Sequence, residues 1–489
     1  MILVIDSHPY HYEIEALCRM FLHGKELKIW ENTEIPAKDY VYTAVFGNRL
    51  VVKADMDGKT AEREEITEEN SLPGSLERLT FRLLSELTGI VPKWGTLTGI
   101  RPVKLAMALR DQGLSEEEIR RKLREERLVS EEKLDLLLET MSHEVAIRSL
   151  SRPESVSIYI SIPFCPSRCS YCSFTSHSIE KAAKLIPQYV ELLCMELEST
   201  ATLIEELGLH LETVYMGGGT PTVLTAEQLD RVLSTVNRCF DMKDVRELTV
   251  EAGRPDTITK EKLEVMRKNG VGRISINPQT MNDDVLENIG RRHTAADIVE
   301  AYRLARTFDF ESINMDLISG LPGDTLESFK HTIDEVLKLE PENITLHTLT
   351  VKHGANLAPD YQRVFANTAD AMNEYAFDRF AKAGYVPYYL YRQKGTIDNL
   401  ENTGFCKPGK EGVYNVFIMD ETHTILATGA GGVTKMKAPH GPKIERVFNY
   451  KFPYEYVERY ANIHERKEQV KDFYERYPLV ADDRGGNAE

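Results

Sequence analysis

The sequence of 489 residues predicts an α/β fold in three parts. We expect an N-terminal accessory α+β domain over residues 1–150, a parallel sheet with helices on its outer face over 155–385, and a mixed C-terminal region over 386–489. After residue 155, six short β-branched or aromatic runs alternate with longer helical runs, and Arg152-Pro153-Glu154 is typical of a linker. This alternation predicts a partial (β/α)6 barrel or a doubly wound sheet, and both place their chemistry at the carboxyl ends of the strands.

The N-terminal domain begins with strand-like runs. Residues 1–5 predict one strand, and residues 40–54 predict a hairpin that turns at Gly47-Asn48. The charged stretch 55–70 predicts an exposed loop or helix. Residues 76–146 have a helical pattern with breaks near Pro92 and over 95–102, so this domain combines strands with charged helices.

The parallel sheet is predicted from six strand–helix pairs. The predicted strands are residues 156–162, 213–216, 248–251, 273–276, 312–318 and 344–351. The predicted helices that follow them are residues 181–207, 226–239, 259–269, 283–289, 326–339 and 368–383. The C-terminal region continues with an aromatic run, a glycine cluster at 429–432 and a charged helical tail.

The composition restricts the class of partner. Hydrophobic residues make up 42% and charged residues 28% of the chain, which is ordinary for a globular protein. The net charge of −17 argues against a surface that binds nucleic acid through its phosphates. No apolar run approaches the roughly 18 residues that a membrane-spanning helix needs. The first ten residues lack the features of a signal peptide, so we expect a cytoplasmic protein with no nucleic-acid partner and no membrane span.

The cysteines are unevenly distributed. The chain has seven, an odd number that does not suggest a disulfide framework, and Cys165, Cys169 and Cys172 fall within eight residues. Cysteine thiolates bind iron–sulfur clusters, and three ligands on a cluster of four irons leave one iron open. An open coordination position is typical of a catalytic metal centre. The alternative is a zinc site in which His177 supplies the fourth ligand.

Glycines and polar residues recur at the predicted strand ends. Gly217-Gly218-Gly219-Thr220-Pro221 follows the second strand, where glycines allow a tight turn and close approach of the backbone to a ligand. Glu251 follows the third strand, Gln279 the fourth, and Asp316 lies in the fifth, while Arg291 occupies a turn of the fourth unit. Because these ends meet at one face of a barrel, we expect the side chains to form one site.

Several motifs occur together. They are the cysteine loop 164–172, the Gly217–Pro221 turn, Glu251, the segment 275–279, Gly290-Arg291, and Asp316-Leu317-Ile318 with Gly320-Leu321-Pro322. As a set they resemble the radical S-adenosylmethionine enzymes, and more narrowly oxygen-independent coproporphyrinogen III oxidase and its relatives. The resemblance is close over residues 155–350, and residues 1–150 with Thr98-Gly99-Ile100-Arg101-Pro102 resemble the HemZ-like branch. It implies a partial (β/α)6 radical-SAM barrel with a C-terminal region on the substrate side.

The resemblance also implies two cofactors, a [4Fe–4S] cluster and S-adenosylmethionine. Cys165, Cys169 and Cys172 would bind the cluster. The residues that would contact S-adenosylmethionine are Tyr159, Tyr171, Gly218, Gly219, Thr220, Glu251, Gln279, Arg291, Asp316 and Thr350. Arg291 would pair with the carboxylate of the cofactor, a natural role for a guanidinium.

Two positions depart from the family pattern. Phe174 stands where the decarboxylating oxidases have a further cysteine, and Asn277 stands where a glycine is usual. A phenylalanine at this position is found in relatives that handle haem. Because a phenylalanine can donate neither a hydrogen atom nor a thiolate, we expect ready cleavage of the cofactor and slow formation of vinyl groups.

The activity implied by the resemblance is the oxidative decarboxylation of coproporphyrinogen III to protoporphyrinogen IX in anaerobic haem biosynthesis. It implies a tetrapyrrole substrate and a reducing electron donor of the flavodoxin or ferredoxin type. Since the substrate bears four carboxylates, a basic pocket is expected, and Arg168, Arg254 and Arg292 are candidates by position.

Two other functions stay open. The first is a haem-binding chaperone, for which a haem ligand such as His347, His293 or Tyr391 would matter. The second is a different radical reaction on a tetrapyrrole, such as methyl transfer. Turnover of the porphyrinogen would distinguish an oxidase from a chaperone.

Overall fold

The computed structural model describes residues 1–22, 26–99, 101–173, 177–350 and 368–480, so Phe174 lies outside the described residues. The first strands are β1 (Ile2–Asp6), β2 (Lys28–Glu31), β3 (Tyr40–Phe46), β4 (Arg49–Met56) and β5 (Lys59–Ile66). They form a five-stranded sheet in the order β2-β1-β3-β4-β5. The predicted hairpin is confirmed, since β3 and β4 pair antiparallel on either side of Gly47, whose φ is 63°.

The prediction for residues 55–70 is wrong, because half of this charged stretch, Lys59–Ile66, is strand β5. It pairs antiparallel with β4 along its whole length, from Arg49 opposite Ile66 to Met56 opposite Lys59. β5 is the edge of the sheet, and charged side chains are common on edge strands because they discourage pairing with another chain. The charges that suggested a loop are therefore compatible with an edge strand.

Five α-helices lie in the described residues of the N-terminal part. They are α1 (His11–Phe21), α2 (Leu72–Thr88), α3 (Pro102–Asp111), α4 (Glu116–Arg127) and α5 (Glu131–Arg148). The hydroxyls of Ser115 and Ser130 accept hydrogen bonds from the first turns of α4 and α5, respectively, which explains where those helices begin. The predicted helical character of residues 76–146 is confirmed.

The second part is built around six parallel strands. They are β6 (Ser155–Ile162), β9 (His210–Gly218), β10 (Glu247–Gly253), β11 (Arg273–Ile276), β12 (Ser312–Ser319) and β13 (Asn343–Thr348). The cysteine loop between β6 and β9 contains two short strands that pair with each other, β7 (Phe164–Cys165) and β8 (His177–Ser178). The helices are α6 (Ile179–Ala182), α7 (Ile186–Glu206), α8 (Ala226–Cys239), α9 (Lys260–Lys268), α10 (Asp283–Asn288), α11 (Ala295–Arg306), α12 (Leu326–Leu339) and α13 (Thr368–Lys382).

The order of these strands distinguishes the two windings that the sequence left open. The six parallel strands lie side by side in the order β13-β12-β11-β10-β9-β6, so spatial order follows chain order. A doubly wound sheet reverses direction at a switch point, whereas consecutive right-handed crossovers put all helices on one face, as in a barrel. The winding is that of the partial (β/α)6 barrel.

The C-terminal strands extend the same sheet at both ends. The elements are β14 (Val386–Arg392), β15 (Glu401–Cys406), α14 (Val413–Asp420), β16 (Thr424–Thr428), β17 (Val433–Lys437), β18 (Ile444–Phe448), α15 (Pro453–Glu458) and α16 (His464–Arg476). β15 pairs antiparallel with β13, and β16 pairs parallel with β6, which gives an 11-stranded sheet. The boundary between the barrel and the C-terminal region at 385/386 stays a prediction.

The two faces of the parallel sheet differ in chemistry. In β6, Val156, Ile158, Ile160 and Ile162 are buried in the core with the helices. The alternate residues of each strand point to the opposite face, which we call the inner face, because side chains alternate along a strand. On the inner face Tyr159 of β6, Tyr215 of β9 and Tyr414 of α14 have their rings stacked. The inner face is polar and aromatic and can therefore receive a polar ligand.

The N-terminal helices contact the sheet through a buried ion pair. Lys133 Nζ of α5 lies 2.6 Å from Glu401 Oε1 of β15, and both side chains are excluded from solvent. Trp94 Nε1 donates to the other carboxylate oxygen of Glu401 at 2.7 Å. Removal of one partner would leave a buried charge unpaired, so this contact couples the N-terminal part to the sheet. In the described part of the chain, no helix is both long and apolar enough to cross a bilayer.

Candidate active site

The glycine turn after β9 lies directly against the cysteine loop. Gly219 N donates to Ile162 O at 2.8 Å, and Thr220 N donates to Phe164 O at 2.7 Å. A Cβ atom at Gly219 would lie 2.4 Å from Phe164 O and 2.9 Å from Cys165 Sγ. Only glycine fits this approach, so the turn predicted at the second strand end forms one wall of the cysteine loop.

None of the three cysteines of the loop forms a disulfide bond. Thr220 Oγ1 donates to Cys165 Sγ at 3.6 Å, and Arg254 Nη1 donates to Cys169 Sγ at 3.9 Å. Cys172 N donates to Cys169 O at 3.2 Å, so the second and third cysteines share a turn.

The donor set fits a cluster. Among the residues that the structure describes, no three His, Cys, Asp or Glu side chains converge on a position for a single metal ion. The thiolates of a cubane bind different irons and do not need to converge in that way. His177, the fourth ligand in the zinc alternative, packs its ring against Phe452 and Tyr454. The three thiols are therefore the candidate cluster ligands, and Gly219 and Thr220 form a wall beside them.

Arg291 supports the loop from the other side. Its Nη1 donates to Asn277 O at 2.6 Å and its Nη2 to Tyr171 OH at 3.4 Å, and Arg291 Nε is buried without a hydrogen-bond partner. The preceding Gly290 accepts a hydrogen bond from Ser167 Oγ of the loop at 3.1 Å. An unpartnered guanidinium N–H can donate a hydrogen bond to a carboxylate of a ligand.

Glu251 lies on the inner face between two of the stacked tyrosines and Asp316. Tyr215 OH donates to Glu251 Oε1 at 2.7 Å, and a Cβ atom at Gly217 would lie 2.8 Å from the carboxyl carbon of Glu251. Burial raises the pKa of Glu251 to about 7, and the charge of Asp316 adds to this, although hydrogen bonds from Tyr215 and the Gly218 backbone act in the opposite direction. A cationic ligand next to such a carboxyl group would favour its ionised form near neutral pH.

Gln279 and Asp316 are joined through their backbones. Gln279 N donates to Asp316 O at 2.9 Å, and Ile318 N donates to Gln279 O at 3.0 Å. The backbone of Gln279 has a φ of 67°, a value that residues other than glycine rarely adopt. This conformation turns the chain back toward β12. Asn277, which replaces the usual glycine, accepts a hydrogen bond from Asp316 N at 3.3 Å through its Oδ1. The asparagine therefore supports the neighbouring strand.

Thr350 is placed differently from the other predicted residues. It follows β13, and its Oγ1 lies 2.9 Å from Thr396 Oγ1, a contact with the C-terminal region. The structure brings Tyr159, Glu251 and Asp316 to the inner face, and brings Gly219, Thr220, Tyr171 and Arg291 to the cysteine loop. The roles of these residues toward S-adenosylmethionine stay predictions.

Tyr215 and Tyr414 are residues of the site that the sequence patterns did not indicate. Tyr215 lies two residues before Gly217 in the same strand, and side-chain alternation would have placed it on the inner face. Tyr414 lies in α14, far from the barrel in sequence, and its ring stacks on Tyr215 with centroids 4.5 Å apart. No signal in the sequence indicated that contact.

Comparison with known proteins identifies the family. The family model described as Radical SAM superfamily matches residues 159–336. Over 393 residues the chain is 41% identical to the oxygen-independent coproporphyrinogen-III oxidase-like protein HemZ of Bacillus subtilis, across 79% of this chain and 78% of that protein. The chain belongs to the radical SAM superfamily, in the HemZ-like branch of the coproporphyrinogen III oxidase-like family. Proteins of this superfamily use a [4Fe–4S] cluster and S-adenosylmethionine, and these are its cofactors.

Other relatives of this radical SAM protein carry a different name. It is 36% identical over 247 residues to the heme chaperone HemW of Bacillus subtilis, across 47% of this chain and 64% of that protein. It is 30% identical over 309 residues to HemW of Haemophilus influenzae, across 62% of this chain and 76% of that protein. The solved structure of coproporphyrinogen III oxidase (HemN) from Escherichia coli has a TM-score of 0.50 and 22% identity, over 66% of this chain and 73% of that chain, and shares the fold.

The raised pKa of Glu251 predicts pH-dependent cofactor binding. S-adenosylmethionine carries a sulfonium and an ammonium, so it should bind more tightly when the carboxyl group of Glu251 is ionised. Because the pKa of Glu251 is about 7, the affinity of the protein for S-adenosylmethionine should rise about tenfold from pH 6 to pH 8. The measurement is titration calorimetry on cluster-loaded protein. In Glu251→Gln the affinity should be weaker and nearly independent of pH. A wild-type affinity that is independent of pH would show that Glu251 does not face the cofactor.

The same shift predicts a change in stability in the protein without S-adenosylmethionine. The pKa of Glu251 is about 7 when folded and close to the ordinary 4.5 when unfolded, so between these values the folded state binds more protons. The contribution of Glu251 to the free energy of unfolding therefore falls as the pH rises from 4.5 to 7. Glu251→Gln should lack this contribution in denaturant titrations at the two pH values.

Proposed function

We propose that this radical SAM protein oxidatively decarboxylates coproporphyrinogen III to protoporphyrinogen IX. When bound, the cluster and S-adenosylmethionine supply a 5′-deoxyadenosyl radical that can abstract a hydrogen atom. Each of two propionate side chains loses one hydrogen atom, one carbon dioxide and one further electron to become a vinyl group, so the reaction also needs an external electron acceptor. The task of the chain is to hold the tetrapyrrole with a propionate facing the cofactor.

The observation that supports this proposal is a polar part of the inner face beyond Asp316 that the predicted cofactor contacts do not use. His347 Nε2 of β13 lies 3.9 Å from Asp316 Oδ2, and its Nδ1 lies 3.5 Å from Tyr391 OH of β14. Tyr389 OH is 3.2 Å from Thr345 Oγ1 on the same strands. These groups adjoin Asp316, so a ligand bound to them would lie next to the cofactor.

The chemistry of these side chains suits a tetrapyrrole. The ring of Tyr391 lies parallel to the buried ring of Tyr389, with centroids 6.5 Å apart and planes within 9°, and offers an aromatic surface to a macrocycle. His347 and Tyr391 provide donors and acceptors for pyrrole N–H groups and carboxylates. Two of the three arginines suggested by sequence position are already paired, Arg292 with Glu180 and Arg254 with Asp256, which favours His347 and Tyr391 over these two.

The test is an anaerobic assay with reconstituted protein, a reductant, S-adenosylmethionine and coproporphyrinogen III. Mass spectrometry would measure 5′-deoxyadenosine and the tetrapyrrole products. Wild-type protein should form both, and His347→Gln should lower vinyl formation about tenfold, since a hydrogen bond to a charged group contributes about 1.5–3 kcal/mol. Cleavage of S-adenosylmethionine should continue, so more cofactor is consumed per product.

The matched control is His331→Gln, the same substitution at a histidine that is 60% exposed on α12. It should leave product formation unchanged. Cleavage of the cofactor by wild-type protein with no change in the porphyrinogen would contradict the oxidase proposal.

The haem chaperone is the second candidate function. The two HemW relatives favour it, and so does the proximity of His347 and Tyr391, since histidine and tyrosine both bind haem iron. On this proposal wild-type protein binds haem with a Soret band that shifts in His347→Gln or Tyr391→Phe. Haem binding unchanged in both variants would remove this pair as the haem site.

A further inference from the structure

Arg254 is a buried arginine beside the cysteine loop, with 4% of its surface exposed. It follows β10 at the carboxyl edge of the sheet. Its Nη1 donates to Ser167 Oγ at 3.2 Å and to Cys169 Sγ at 3.9 Å. Both acceptors belong to the loop that carries the candidate cluster ligands, so a positive charge is directed at one of the three sulfurs.

A second group holds this guanidinium in place. Asp256 accepts hydrogen bonds from Arg254 Nε at 3.0 Å and from Nη2 at 3.1 Å, a bidentate arrangement that fixes the plane of the guanidinium. His293 is also buried, and its Nδ1 lies 3.5 Å from the same carboxylate. The orientation of Arg254 toward Cys169 is thus set by residues outside the cysteine loop.

This geometry differs from that of a substrate-binding arginine. Nε and Nη2 of Arg254 bind Asp256, while Nη1 faces the loop, so no edge of the guanidinium is open to a substrate carboxylate. An ion pair that served folding alone would not require the third nitrogen to contact a thiol. The distinguishing contact is the one with Cys169.

We propose that Arg254 is a positioning residue that raises the reduction potential of the [4Fe–4S] cluster through a charge-assisted hydrogen bond to the Cys169 thiolate. One-electron reduction makes the cluster one unit more negative, and hydrogen bonds to its sulfurs and the local charge set its potential. A guanidinium in a site of low dielectric constant stabilises the more negative state. The electron comes from an external one-electron reductant, and no proton transfer is required. This inference rests on Cys169 being a cluster ligand and is independent of the substrate.

The test is an anaerobic redox titration of reconstituted protein, followed by the electron paramagnetic resonance signal of the reduced cluster. In Arg254→Gln the ratio of reduced to oxidised cluster at a fixed potential should fall at least about tenfold, which is 59 mV for a one-electron couple. The double variant Arg254→Gln with Asp256→Asn should shift in the same direction by a smaller amount, because it also removes a negative charge. Arg254→Lys, which keeps the charge, should lie between Arg254→Gln and wild type.

The matched control is Arg292→Gln, at an arginine next to Arg291 in the chain whose side chain is 70% exposed and paired with Glu180. Its midpoint potential should equal that of the wild type. An unchanged potential in the Arg254 variants that contain iron would overturn the proposal. If none of these variants binds iron although circular dichroism shows them folded, Arg254 serves assembly of the loop, and the proposal is also overturned.

Discussion

Cys169→Ala is expected to abolish the iron–sulfur absorbance of protein reconstituted without oxygen. Three thiols are the candidate ligands of one cluster, and removal of one leaves two, too few to hold a cubane that already has one open iron. Cys169 is the buried member of the set and accepts a hydrogen bond from Arg254. We expect the same loss in Cys165→Ala and Cys172→Ala, measured by iron and sulfide content together with the visible spectrum.

The controls are cysteines outside the loop. Cys194 is buried in α7 and Cys239 is the last residue of α8, both on the helix side of the sheet. Cys194→Ala and Cys239→Ala should bind iron as the wild type does. Full reconstitution of Cys169→Ala, or stoichiometric zinc without iron in the wild type, would refute the assignment.

Arg291→Ala is expected to weaken S-adenosylmethionine binding about ten- to a hundred-fold while the cluster is retained. The partly unpartnered guanidinium lies between Tyr171 and Asn277, and a charge-assisted contact with the carboxylate of the cofactor would contribute about 1.5–3 kcal/mol. The measurement is equilibrium binding to cluster-loaded protein, with iron content determined on the same samples.

Arg292→Ala is the control, because Arg292 is the next residue and is exposed. It should bind the cofactor with unchanged affinity. Equal affinities of Arg291→Ala and wild type would remove Arg291 from the cofactor site. Loss of the cluster in Arg291→Ala would instead assign the arginine to the cysteine loop, which it already contacts through Tyr171.

Local sequence patterns determined much of the barrel. The bounds of α8, β11 and α12 agree with the prediction to the residue, because turn residues and a change of periodicity mark each βα unit. The spacing of the cysteines and the three glycines indicated a ligand loop with a close backbone neighbour, and the structure places Gly219 against Cys165. These features depend on residues that are near one another in the chain.

The winding and the long-range partners were decided by the tertiary structure. Strand β5 was missed because a charged edge strand resembles a loop until its pairing partner is known. Arg254 and Cys169 are 85 residues apart, and Tyr391 and His347 are 44 apart, yet each pair meets in the site. Periodicity tells which face of a strand a side chain occupies, but not which strand lies beside it. That neighbour depends on how the strands are arranged in the folded sheet. The sequence by itself indicated the cluster and the cofactor. Only the folded chain showed Arg254 directed at a candidate cluster ligand and the His347–Tyr391 pair beside Asp316.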